Sequence, residues 1–267
     1  MEIKREIFWN IPNFLKISFY LFSFFAFLIF LYGIYLHFKF WNEGRGNFKI
    51  DFKKGFKNFI KYSILQIKVL YERFAGILHI FLYLGFLILF LGTVTLTIQE
   101  RITQPLFKIY FLKNFPFLLF EFIMDFAALL LLLGVIIAII RRYFIRPKRL
   151  TYEFDFELIL WLLFFIGITG ILTESFRIIG EKTPLPHFSF LGFLFSLPFK
   201  NLDLFLIKKL HLIFWVIHAI LSLFLISYIP YSSLSHIIFS PINHFIQEPE
   251  KNYIEKIDFE KEEFFGV

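Results

Sequence analysis

The sequence predicts an all-α protein, an integral membrane bundle of five transmembrane helices. Composition is the first reason: 267 residues that are 58% hydrophobic and 22% aromatic, with 44 Phe and only 18% charged side chains, carry more apolar surface than one soluble core can hide. Arrangement is the second: the apolar residues form runs long enough to cross about 30 Å of hydrocarbon, and the charges collect between the runs.

Residues 1–12 are mixed in charge, and no small-residue cleavage site follows the next apolar run, so a cleaved signal peptide is not expected. The first span is the uncharged run 17–38. Residues 39–73 form a polar connector with nine Lys or Arg against three acids. Phe56, Phe59, Ile60, Ile64 and Leu65 recur there at helical spacing, which predicts a helix lying on the membrane surface. The second span is 76–98, where Gly85 and Gly92 lie seven residues apart and would let a flat macrocycle or another helix approach the backbone. Residues 99–116 read as a short loop, and the third span is 116–140. The stretch 141–150 carries five cations and no anion, the strongest orientation signal in the chain. The fourth span is 156–173, entered by Glu153, Asp155 and Glu157, where acids favour the helix dipole. Within the connector 174–209 the apolar piece 187–199 is too short to cross and is expected to be interfacial or re-entrant. The fifth span is 210–229. Residues 1–246 thus read as one membrane domain and 247–267 as an acidic tail. The basic connectors put that tail in the cytoplasm and the N-terminus outside a cytoplasmic membrane.

The net charge of +7 comes from cations in the loops, which is how topology is written, so lipid rather than nucleic acid is the expected surrounding partner. There is no cysteine, which excludes disulfides, thiolate-bound iron–sulfur clusters and Cys-linked haem within this chain.

The chemistry-bearing stretch is 210–241, which has no Asp, Glu, Lys or Arg yet holds His211, His218 and His236. At about 100° per residue the three imidazoles fall on nearly one helix face. His218 and His236 would be roughly 27 Å apart on a straight helix, although Pro230 must bend or end it. Imidazoles at two depths suit two haem irons, each taking a second ligand from another helix. Depth pairs His79, near the start of the second span, with His236, so that a haem lies between helices 2 and 5 at the cytoplasmic side. For an outer haem His218 finds only Thr93 on the matching face of the second span, a poor ligand, which leaves His187 as the candidate at that depth. His211 reads as a ligand, a quinone contact or an interface anchor. Arg73 is a propionate candidate or a plain topology-setting cation. Glu174 and Arg177, three apart, can form a local ion pair and rim a quinone site or contact a propionate. Asp125, with Glu121, is a candidate acceptor of quinol protons, since an unpaired carboxylate at that depth must be protonated or matched.

These residues also carry a family resemblance. The stretch from His218 to Asn243, with IPYSSLSHIIFSPIN, resembles the fifth helix of the nitrate reductase gamma-subunit and heterodisulfide-reductase membrane-subunit family of cytochromes b. ERFAGILHIFLYLGFLILFLGT at 72–93 and RRYFIRPKRLTYEFDFELILWLLFFIGITGILTESFRI at 141–178 are similar to the branch associated with cytoplasmic heterodisulfide-reductase-type iron–sulfur proteins. The resemblance covers about residues 14–267. It implies one or two b-type haems held between histidines, quinone as substrate, a separate cytoplasmic iron–sulfur partner and respiratory electron transfer. By motif, His218 and His236 match the two histidines of the family's last helix and His79 the first of its second helix. The further second-helix histidine of the nitrate reductase subunits is missing here. The rival expectation is a non-redox membrane anchor or small transporter whose histidines serve packing. A third keeps a haem but gives the chain no quinone site of its own.

Overall fold

The computed structural model describes residues 3–44, 50–148, 150 and 152–246. The expected acidic tail at 247–267 lies outside them. Among the described residues the structure is all-helical, and five helices are long and apolar enough to cross a membrane.

The spanning helices are α1 (Asn13–Trp41), α3 (Arg73–Ile98), α4 (Phe115–Ile140), α5 (Phe154–Glu181) and α7 (Leu204–Tyr228). Shorter helices sit between and after them: α2 (Phe52–Asn58), α6 (Phe190–Ser196) and α8 (His236–Ile246). Two boundaries differ from expectation. The stretch 99–116 is not simply a loop, because α3 continues through a π turn at Gln99–Thr103 to Phe107. The fourth span does not stop at Thr173 but runs two turns further, to Glu181, because the charges on those turns are matched inside the protein (below). α3, α4 and α5 and their helical extensions each stop at a cation in the left-handed region, Lys108, Arg146 and Lys182. That conformation breaks the hydrogen-bond ladder and places positive charge at the negative end of the dipole.

The close-packed neighbours are α3 with α4, α4 with α5, α5 with α7, and α7 with α1; α3 and α7 are not among them. Leu131 and Val135 of α4, Ile159, Leu160, Leu162 and Leu163 of α5, and Leu225 of α7 form the main apolar core. Gly85 serves the approach of a helix rather than a macrocycle. A Cβ there would lie 2.6 Å from the backbone nitrogen of Leu131. Gly85→Ile should therefore force α3 off α4 and destabilise the bundle by about 1–3 kcal/mol, the usual penalty of overpacking, read as a lower unfolding temperature in detergent.

The histidine stripe does not lie on one straight helix. α7 ends at Tyr228, a 3-10 turn covers Ile229–Tyr231, Ser232 is extended, and a second 3-10 turn at Ser233–Ser235 leads into α8. Pro230 has no N–H to continue the ladder. The carbonyl of Pro230 accepts a bond from His37 Nε2 of α1 at 2.8 Å, and Tyr231 Oη donates to the Ile29 carbonyl at 2.8 Å. The predicted surface helix exists as α2 with a π turn at Phe59–Ile64, and it packs on α8. There Ser63 Oγ and His244 Nδ1 lie 2.9 Å apart. Burial, with Lys68 nearby, lowers the pKa of the His244 imidazole from its ordinary value.

Candidate functional site: a histidine pair at one end, a buried charge cluster at the other

The alternation of the spans puts the helix ends at Trp41, Arg73, Ile145 and Phe154 at one end of the bundle, here the basic end. His79 lies in the second turn of α3 and His236 is the first residue of α8, both at this end. Their rings face one another with centroids 6.4 Å apart and planes at 46°. α3 and α7 are not packing neighbours, so this approach is no by-product of a helix contact; the break after Tyr228 carries His236 across.

Two imidazoles on opposite sides of one metal, with bonds of about 2 Å each and ring centres a little over 1 Å beyond each nitrogen, would stand about 6 Å apart. The observed separation fits. His236 Nδ1 lies 2.6 Å from the Ser233 carbonyl. A carbonyl can only accept, so Nδ1 carries the proton and Nε2 keeps its lone pair. Nδ1 of His79 is buried without a hydrogen-bond partner among the described residues. Among the described residues no three His, Cys, Asp or Glu side chains gather as a metal-binding group. Two imidazoles alone suit an iron whose other four ligands belong to a macrocycle. Arg73, the first residue of α3, is exposed at the same end.

The other histidines fall elsewhere. His218 is turned onto α5: its Nδ1 lies 3.1 Å from the Ile166 carbonyl and 3.3 Å from Thr169 Oγ1. Gly170 makes room for it, since a Cβ there would sit 3.1 Å from His218 Cε1. His187, the candidate for the position opposite His218, is exposed on a 3-10 turn with its ring against Phe188, not His218. His218 therefore gains no facing imidazole, and these residues do not fit a second bis-histidine site. His211 is no surface residue beside Lys208 and Lys209. It is 3% exposed, its ring meets Trp9 edge-on at 4.8 Å, and its Nδ1 is unpartnered.

At the far end a charge cluster is built around Arg177, whose side chain is 3% exposed. Arg177 donates from Nε to Glu174 at 3.1 Å, from Nη2 to Glu174 at 2.5 Å and to Glu121 at 3.1 Å, and from Nη1 to Glu181 at 2.7 Å. The expected Glu174–Arg177 pair is thus the middle of a larger network. Arg5, from the N-terminal segment, reaches Glu121 at 3.5 Å and Glu174 at 3.6 Å. Ser189 Oγ donates to Glu121 at 2.6 Å. Asp125 Oδ2 accepts from the backbone N–H of Leu191 at 2.6 Å and of Gly192 at 3.2 Å, capping α6. That bond pair turns the short apolar piece 187–199 back onto the bundle. His211 is within electrostatic reach of Arg177, Arg5 and Glu174. Arg5, Trp9, Glu181 and Ser189 had no sequence signal: none belongs to a periodic run, and only the fold brings them to Arg177.

A five-span helical bundle with an imidazole pair at one end and a buried ionisable cluster at the other is a membrane subunit of the electron-transfer kind. Residues 68–255 match the nitrate reductase gamma subunit family, and the chain belongs to it. It is also similar to a protein named EtfAB:quinone oxidoreductase from Syntrophomonas wolfei subsp. wolfei (strain DSM 2245B / Goettingen). The two are 28% identical over 184 residues, which cover 65% of this chain and 25% of that relative. The chain spans only about a quarter of the length of the curated relative it matches.

Proposed function

We propose that this chain is the membrane cytochrome b subunit of a respiratory redox complex, passing electrons between the quinone pool and a separate cytoplasmic iron–sulfur protein of the heterodisulfide-reductase type. The observation that carries the reading is the 6.4 Å approach of His79, on α3, and His236, at the start of α8 beyond α7, although α3 and α7 are not packing neighbours. These two residues hold one haem b, which when bound supplies a one-electron carrier near the membrane surface. Residues 1–246 form the membrane domain, with the basic end in the cytoplasm and the N-terminus outside. The partner docks against the basic end, where Arg146 and Lys148 are exposed and offer cations to an acidic surface.

The far-end cluster is where quinol is handled. Oxidising a quinol releases two protons, and the groups that receive them must be acceptors. Glu121 Oε1 is buried with no hydrogen bond among the described residues, its contact being the ion pair with Arg5 Nη1 at 3.5 Å, and His211 Nδ1 is an open lone pair or N–H in the same neighbourhood. The carboxylates of Glu121, Asp125, Glu174 and Glu181 outnumber the two guanidiniums of Arg5 and Arg177. An excess carboxylate in a low-dielectric site holds a proton readily and can hand it on. The Trp9 ring lies edge-on against His211, which is buried and so kept from bulk water.

The test is optical. The purified chain should show a Soret band, and a short-chain quinol should reduce it. No Soret band would favour the non-redox anchor or transporter; a band reducible by dithionite but not by quinol would make the chain a relay without its own quinone site.

A further inference from the structure

His236 is exposed at the first residue of α8, so neighbouring side chains do not hold its ring. Its orientation depends on the turn before it. Ser233 accepts the His236 Nδ1–H through its carbonyl at 2.6 Å and donates its own N–H to Asp155 Oδ2 at 2.8 Å. The other oxygen, Asp155 Oδ1, accepts the Tyr228 hydroxyl at 2.6 Å. One carboxylate, from the first turn of α5, therefore grips the last residue of α7 and the first residue of the turn that follows the extended Ser232. The Ser233 N–H has no helical acceptor in this break, and Asp155 supplies one.

We propose that Asp155 is a positioning residue for the imidazole of His236: through Ser233 it sets the angle at which α8 leaves the bundle and the basicity of the nitrogen that His236 turns towards His79. The inference rests on the reading of these two histidines as haem ligands. A carboxylate bound to the Ser233 N–H polarises that peptide and strengthens its carbonyl as acceptor, which makes the imidazole a better electron donor. The negative charge also disfavours adding an electron at the site. Glu157, two residues along, pairs with Arg142 at 3.5 Å instead and shares with Asp155 only the favourable place at a helix start.

The experiment compares Asp155→Ala, Asp155→Asn, Tyr228→Phe and Glu157→Gln in the full chain, by haem titration of the apo-protein, by the low-spin to high-spin ratio, and by midpoint potential. Asp155→Ala should weaken haem binding by about 10- to 100-fold and raise the high-spin fraction, as iron keeps one imidazole and loses the other. Asp155→Asn keeps an acceptor oxygen and should bind better than Ala, yet its potential should rise because the charge is gone. Glu157→Gln should bind haem with the wild-type low-spin spectrum. Should Asp155→Ala not fold, Asp155→Asn and Tyr228→Phe decide on the same readouts. Wild-type affinity, spin state and potential in the Asp155 variants would overturn the proposal, as would equal losses in the Asp155 and Glu157 variants. Absence of haem from the wild-type chain would instead remove the ligand reading beneath it.

Discussion

His79→Ala should leave the purified chain without haem, whereas His218→Ala should keep it. His79 is only partly buried, and its ring stands opposite that of His236 with centroids 6.4 Å apart, so the substitution removes a ligand with little packing loss. The remaining imidazole, His236, is exposed and cannot hold iron in place alone. Haem per chain, measured as pyridine haemochrome, should fall at least a hundred-fold, beyond the about 10- to 100-fold usual for losing an outer-shell partner. His218 bonds to Ile166 and Thr169 of α5, so its loss should loosen the α5–α7 contact and leave the His79–His236 pair intact. Elution of both variants as one detergent-solubilised species confirms the comparison. Haem at wild-type level in His79→Ala, or loss in His218→Ala alone, would place the cofactor elsewhere.

The pairing of His79 with His236 was legible because depth in a membrane follows from span direction, and direction follows from counting uncharged runs. Azimuth was not legible in the same way. A helical stripe put His218 on the face of His236, yet the break at Pro230 lets α8 take its own direction, while His218 is claimed by α5 through Gly170. Span ends misread for a related reason. The fourth span seemed to end at Thr173 because Glu174, Arg177 and Glu181 follow, and charges ordinarily mark water. Here Arg177 pairs with both glutamates inside the protein, so the helix carries them on to Glu181. Asp155 read as a dipole-favouring acid at a helix start, which it is, but its partners Tyr228 and Ser233 are more than 70 residues away. No local pattern announces a contact of that separation. The N-terminal segment was the least readable: Arg5 and Trp9 follow no period, and their role appears only when the far end of the bundle is assembled around Arg177 and His211.

Arg177→Met should be the most damaging single change to the fold outside the apolar core. Its guanidinium is nearly fully buried and is the common partner of Glu121, Glu174 and Glu181. Removing it leaves carboxylates facing one another where water cannot screen them. Breaking a buried pair from one side costs about 3–5 kcal/mol, mostly the desolvation of the charge left behind. Unfolding in detergent, followed by tryptophan fluorescence, should shift to markedly lower temperature. Arg5→Ala probes the same carboxylates from a side chain that is 26% exposed and 3.5 Å or more away, so its effect should be about 1 kcal/mol or less. The decisive arm is the combination Arg177→Met with Glu174→Gln and Glu121→Gln. If stranded charge is the cause, neutralising the two glutamates recovers much of the stability lost in Arg177→Met. If the combination is as unstable as Arg177→Met, the side chain acts by shape, and the far-end cluster loses its claim to be an electrostatic unit able to take up a quinol proton.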